Sequence, residues 1–182
     1  MFEIMHLKGN TYYLKCFSNI GIYHLGNGEV ILIDTGDHKK SITDLDTALE
    51  ERSWKVKAVF NTHSHLDHIA GNRFFSEKYG CKAYASDIEQ FYGEYPQIDV
   101  AEIFMGIPIK INKSSMFNNP GMKTEYLTED ILPEGFEIKS FPGHTFNMVG
   151  IKTPDDVWFL GDAIIARQTY ESYKIPYFFA IN

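Results

Sequence analysis

Apolar positions near the start of the chain fall into short strand-like runs, Tyr12 to Phe17 and Gly21 to Leu25, and Gly26-Asn27-Gly28 supplies a hairpin turn into Val30-Ile31-Leu32-Ile33. A continuous, largely β-branched run of this kind belongs to a strand covered on both faces, because a strand with one wet face would alternate. It stops at Asp34-Thr35-Gly36, a turn whose glycine tolerates positive φ. From Lys39 to Arg52 the spacing changes, and Ile42, Leu45 and Leu49 recur on one face of a helix. A strand over Val56 to Asn61, a helix from Ile69 to Tyr79 closed by Gly80, and a strand over Cys81 to Ala85 follow. Ser86-Asp87-Ile88-Glu89 has the spacing of a capping box and predicts a short helix through Tyr92.

Between Gly93 and Pro120 the pattern weakens around Pro96, Pro108 and Pro120, which predicts a largely irregular insert with one or two helical turns. Strand periodicity returns over Glu137 to Phe141, Met148 to Lys152 and Val157 to Leu160, the last two joined by a Pro154-Asp155-Asp156 turn. The pattern is that of an α/β protein. No repeat, low-complexity tract or linker divides the 182 residues, so 1–182 read as one domain.

Composition narrows the function classes. Residues that are 44% hydrophobic and 15% aromatic suffice for a core. The 17 Lys and Arg against 24 Asp and Glu leave a net charge of −7, which works against a surface built to follow a phosphate backbone, so no nucleic-acid partner is expected. No run approaches the roughly 18 to 20 apolar residues that cross a bilayer. Met1 to His6 lacks a basic region followed by an apolar one. The expectation is a cytoplasmic protein with no membrane partner. Cys16 and Cys81 are too few for a disulfide framework and read as buried structural thiols.

Histidine changes the picture. The chain has seven, and three lie in His63-Ser64-His65-Leu66-Asp67-His68, directly after a predicted strand. Alternation points His63 and His65 the same way, while Asp67 and His68 continue around the turn. Four such groups in six residues exceed what one ion takes from one loop, and imidazole with carboxylate suits zinc, with iron or manganese of similar geometry. A two-metal site is the economical reading. His6, His24 and His38 have no ligand-like spacing and read as surface or supporting residues.

His63-x-His65-x-Asp67-His68 resembles the signature of the metallo-β-lactamase superfamily of binuclear metallohydrolases. Val30 to Gly36 resembles the family's early strand and turn, Pro142-Gly143-His144-Thr145 its third histidine, and Leu160-Gly161-Asp162-Ala163 its bridging aspartate. The resemblance implies an αββα sandwich with two zinc ions, iron or manganese fitting the same donors. His63, His65 and His144 would hold the first, Asp67 and His68 the second, and Asp162 would bridge both. Asp34 would support rather than ligate. It further implies hydrolysis of a small-molecule ester, thioester or lactone by a metal-bound hydroxide, with Asp67 as the catalytic group that receives the water's proton. His65 stands where the oxygen-reducing diiron branch carries Glu. Asp162 stands where the antibiotic-degrading branch carries Cys, and His68 where that branch carries Arg. These differences point to the thioesterase, lactonase or hydroxyacylglutathione-hydrolase side.

The chain departs from the family pattern at its end. The complete family site takes one more histidine downstream of the bridging aspartate, and none follows His144 here; 20 residues follow Asp162. The expectation is a truncated sandwich, incomplete at its C-terminal layer, with activity in doubt and self-association by exchange of the aromatic segment Thr169 to Ile181. The contrasting reading is a non-catalytic, self-associating remnant with a vestigial metal site.

Overall fold

Both faces of one strand are dry, and the layering follows from that. In a computed structural model describing residues 2–37, 39–103 and 119–164, strand β4 (Glu29–Ile33) sends Val30 and Leu32 into one apolar cluster and Ile31 and Ile33 into another. Successive side chains point to opposite faces, so a strand apolar at every position has to be covered twice. It lies in a seven-stranded sheet ordered β1 (Ile4–Lys8), β2 (Thr11–Leu14), β3 (Ile20–Gly26), β4, β5 (Lys55–Phe60), β6 (Lys82–Ala85), β7 (Glu125–Tyr126). β1 to β4 form an antiparallel meander, and β4 to β7 pair in parallel. Helices α1 (Lys39–Glu51) and α3 (Asn72–Tyr79) cover one face, where Leu45, Leu49 and Phe75 join Leu14, Ile22 and Val59.

The opposite face packs on a second, antiparallel sheet ordered β10 (Val157–Phe159), β9 (Val149–Thr153), β8 (Glu137–Ser140). Val149 and Ile151 meet Ile31, Ile33 and Phe60 there. A Cβ on Gly21 would lie 2.7 Å from the Phe159 ring, so the bare α-carbon is what lets the sheets close at that point. Polar pairs at the rim tie the sheets as well: Thr11 Oγ1 lies 2.9 Å from Thr153 Oγ1, and Asp155 accepts from the Asn10 N–H at 2.7 Å. The chain after Ile164, including the segment expected to exchange between copies, lies outside the described residues, as does His38.

One irregularity in β5 keeps the strand in phase with its partner. The β4–β5 register runs Val30↔Val56 and then Ile31↔Ala58, leaving Lys57 as an extra, exposed residue. Val56 and Val59 consequently both face the helices although three positions apart, while Ala58 and Phe60 face the second sheet.

Several elements differ from the sequence expectation. β1 precedes the first predicted strand; four of its five residues are exposed, so it carries no apolar alternation. The predicted Ile69–Tyr79 helix is two, α2 (Leu66–Ile69) and α3, broken where the Gly71 N–H donates to Thr35 Oγ1 at 3.1 Å. The one or two helical turns expected in the insert are there as helix α5 (Pro96–Ile103), proline occupying the first helical position, where its missing N–H costs nothing. Helix α4 (Asp87–Glu94) forms, but the predicted capping box does not: the Ser86 and Glu89 side chains bind a distant loop. Cys16 and Cys81 are half-buried free thiols rather than fully buried ones, and burial, then Asp37, pushes the Cys16 thiol up to about 12, leaving it unreactive. Among the described residues no helix is long and apolar enough to cross a membrane.

Candidate metal centre

The two β-strands at the middle of the large sheet end side by side, and Asp34 joins their ends. Its Oδ1 accepts the Thr62 N–H at 2.8 Å and its Oδ2 accepts Thr62 Oγ1 at 2.8 Å. Asp34 holds φ at +63°, in the left-handed region that Asp tolerates better than most residues. Its Oδ2 also accepts from His68 Nδ1 at 2.8 Å, which leaves His68 Nε2 as the nitrogen facing the site. Next in sequence, the Thr35 N–H donates to the His68 carbonyl at 2.7 Å. The Asp34-Thr35-Gly36 turn is therefore the frame that carries the histidine run, the supporting place expected of Asp34.

Two further segments close on this frame. The loop between β8 and β9 brings His144 Nε2 to 2.8 Å from His65 Nδ1. After β10, Gly161 sits at φ +52°, and a Cβ there would lie 2.6 Å from Thr62 Oγ1 and 3.2 Å from His63 Nδ1; glycine lets Asp162 come up against the histidine loop. Asp162 Oδ1 is 3.3 Å from His68 Nε2 and its Oδ2 is 3.5 Å from His144 Nε2. Two groups result, His63 with His65 and His144, and His63 with His68 and Asp162; within each, the candidate ligand atoms all lie within 4.8 Å of one another. Asp67 stands beside the second group without joining it. Its Oδ2 is 3.5 Å from His68 Nε2 and accepts from Ser18 Oγ at 2.7 Å.

The electrostatics separate these imidazoles. Burial first, then neighbouring His68, His65 and His144, holds His63 well below the usual histidine value. Burial and then His144 lower His65 to about 4. Both rings are thus neutral, the form that binds a metal. For His68 burial pulls downward, but Asp34, Asp162 and Asp67 outweigh it and raise the ring well above 6.5. For Asp162 burial pushes upward, and the bond to His68 with the surrounding imidazoles more than offsets it, leaving the carboxyl below its ordinary value. His63 Nε2 is buried with no hydrogen-bond partner among the described residues, a cost that a metal ion would remove. The donor set, imidazole nitrogens with a carboxylate, fits a transition metal.

Sequence reasoning missed the groups behind this constellation. Asp99 on α5 places Oδ1 3.5 Å from His65 Nε2, the nitrogen on the far side of the ring from His144. Ser18 holds Asp67. Glu89, 1% exposed, takes hydrogen bonds from Ser64, Thr145 and Asn147. Its only sequence signal was a capping spacing that pointed elsewhere. His6 and His24 stay out of both groups; His24 stacks on Trp54 with 5.0 Å between ring centroids.

Comparison with known proteins adds to this geometry. The family model described as the metallo-beta-lactamase superfamily matches residues 13–180. A hydroxyacylglutathione hydrolase of Hyphomonas neptunium is 26% identical over 146 residues, covering 80% of this chain and 46% of the relative. A protein of the same name from Brucella ovis is 30% identical over 126 residues, covering 67% of this chain and 39% of the relative. The chain spans less than half the length of these curated relatives. Among solved structures, the DIM-1 metallo-beta-lactamase aligns with a TM-score of 0.64 at 16% identity, over 91% of this chain and 72% of that one. TTHA1623 in a di-iron-bound form aligns with a TM-score of 0.61 at 20% identity, over 88% and 74%. These likenesses show the αββα fold, and with a family model matching nearly the whole chain, the protein belongs to the metallo-beta-lactamase superfamily.

Proposed function

We propose that this protein is a metal-dependent hydrolase of ester, thioester or lactone bonds, with zinc as the metal expected and iron or manganese suited to the same donors. The observation that carries this reading is convergence: three segments far apart in the chain bring five candidate ligands into two groups that share His63. His63, His65 and His144 would hold one ion. His68 and Asp162, with Asp67 beside them, would hold the other. The two oxygens of Asp162 divide between the groups, Oδ1 toward His68 and Oδ2 toward His144, so its carboxylate would be in reach of both ions. Bound ions of this kind supply Lewis acidity toward a scissile carbonyl and make water nucleophilic near neutral pH.

The chain's own residues set the conditions for that chemistry. Asp34 fixes the His68 ring so that its inward nitrogen is the one available. Asp67 keeps a partly exposed carboxylate at the edge of the site, where it can take the proton that an attacking water gives up, and Ser18 orients it.

The curated relatives carry the name hydroxyacylglutathione hydrolase, so a hydroxyacyl thioester of glutathione is the substrate to test first. Metal content after mild dialysis is expected at one equivalent or more. Thioester turnover is expected to fall at least about 100-fold in His65→Ala. Well under one equivalent in a folded protein would reject the metal reading. Absence of turnover with metal supplied would reject the hydrolase and favour the non-catalytic remnant.

A further inference from the structure

We propose that Glu89 is a positioning residue for the first metal group, and that its carboxylate sets the spacing of His63, His65 and His144 by locking together the two loops that carry them. This rests on the metal reading above. His63 and His65 leave the end of β5 in the large sheet, whereas His144 comes from the loop between β8 and β9 in the small one, 79 residues after His65. Something has to hold the loops at a fixed separation if three rings are to share one ion.

Glu89 is built for that task. Oε2 accepts the Ser64 N–H at 2.9 Å and Ser64 Oγ at 2.6 Å, and Ser64 lies between the two histidines of the first loop. Oε1 accepts Thr145 Oγ1 at 2.5 Å and the Asn147 N–H at 3.2 Å, and Thr145 adjoins His144 in the second loop. Each oxygen therefore serves one loop. The same helix start adds Ser86 Oγ, which donates to the Asn147 carbonyl at 2.5 Å. Ser86 and Glu89 have the sequence spacing of a helix cap, yet both reach across to the site's second loop instead of closing their own helix. The hydrogen bonds of its carboxylate go to residues beside the candidate ligands, so it acts through the loops.

The division of labour makes one substitution unusually informative. In Glu89→Gln the volume is kept, but whichever way the amide turns, its NH2 faces a main-chain N–H, of Ser64 or of Asn147. The hydroxyl partners can rotate to accept; those N–H groups cannot. One of the two ties thus loses its main-chain bond by necessity and is left with a hydroxyl bond alone. Thr145→Val removes only the tie beside His144 and serves as the second variant should Glu89→Gln fail to fold.

The 182-residue chain and its variants are compared in zinc affinity, by competition with a chromophoric chelator, and in the visible absorption of the cobalt(II)-loaded protein, which reports ligand number and geometry. Glu89→Gln is expected to weaken the first equivalent of zinc roughly 10- to 100-fold and to change the cobalt spectrum, with Thr145→Val shifting both in the same direction by less. A purely structural role would lower the unfolding midpoint and leave affinity and spectrum of the folded variant unchanged, and that result overturns the proposal. Failure of the unaltered chain to take up zinc or cobalt overturns the metal reading and this inference together. Normal uptake with unchanged variants overturns this inference alone.

Discussion

His63 and His65 enter the folded state as neutral rings, and His68 enters it holding a proton more tightly than a free imidazole would. That contrast fixes the acid response of the metal-free chain. A histidine whose folded value is depressed contributes stability that is complete above the unfolded value of 6.5 and is lost as pH falls toward the folded value, about 4 for His65. His68, being raised, contributes stability already complete below 6.5 and lost only as pH rises. Asp44, Asp156 and Asp162 are lowered from 3.8 and so act below that. Of these shifted groups, His63 and His65 are the ones that act as pH falls from 6.5 to about 4. The urea midpoint of chelator-treated protein is expected to fall across this interval, each ring contributing at most about 1.4 kcal/mol per pH unit, and His65→Gln should flatten the slope. A midpoint constant across that interval would contradict the burial of neutral rings. At this scale the five residues that gather into the two groups were legible in the sequence, because metal-binding chemistry restricts residue type and local spacing together, whereas Asp67, expected as a ligand too, stands beside them. Glu89, Ser18 and Asp99 were not, since each meets its partner 25 or more positions away and carries no local signature.

Elements were legible where burial enforced a period. β4 declared itself by apolar residues on both faces, and α1 by its stripe. β1 was silent because it is mostly exposed. α5 was legible only as a helical turn or two without bounds, because the apolar and polar residues of Pro96-Gln97-Ile98-Asp99-Val100-Ala101-Glu102-Ile103 do not gather on one stripe. The break between α2 and α3 is imposed by Thr35, a tertiary contact that no local pattern announces. The element whose failure would cost most is the short turn after β10. Gly161→Ala forces a side chain into φ +52° and against Thr62 Oγ1, so a loss of about 1–3 kcal/mol in urea unfolding is expected, with weaker metal binding because Asp162 must move. A loss under about 0.5 kcal/mol would mean that Thr62 rotates aside without cost.

At the scale of the molecule, the large sheet supplies His63, His65 and His68, and the small sheet supplies His144 and Asp162. Any ion held by both is a cross-link between layers. Zinc at about 100 times its dissociation constant should add about 2.7 kcal/mol to folding, which for a chain of this size raises the unfolding temperature by roughly 5–10 °C. Calorimetry with and without zinc checks this, and an unfolding temperature indifferent to zinc would contradict it. The extra residue in β5 has a different kind of consequence. Removing Lys57 would heal the bulge and leave Ile31↔Ala58, Leu32↔Val59 and Ile33↔Phe60 paired as they are, sacrificing only an exposed ion pair with Glu29. Removing a later residue such as Val59 would instead draw Lys57 into register against Ile31 and turn its charged side chain toward the second sheet. Length variation in this strand among related chains is thus expected to concentrate at position 57, a one-residue insertion point six residues upstream of His63.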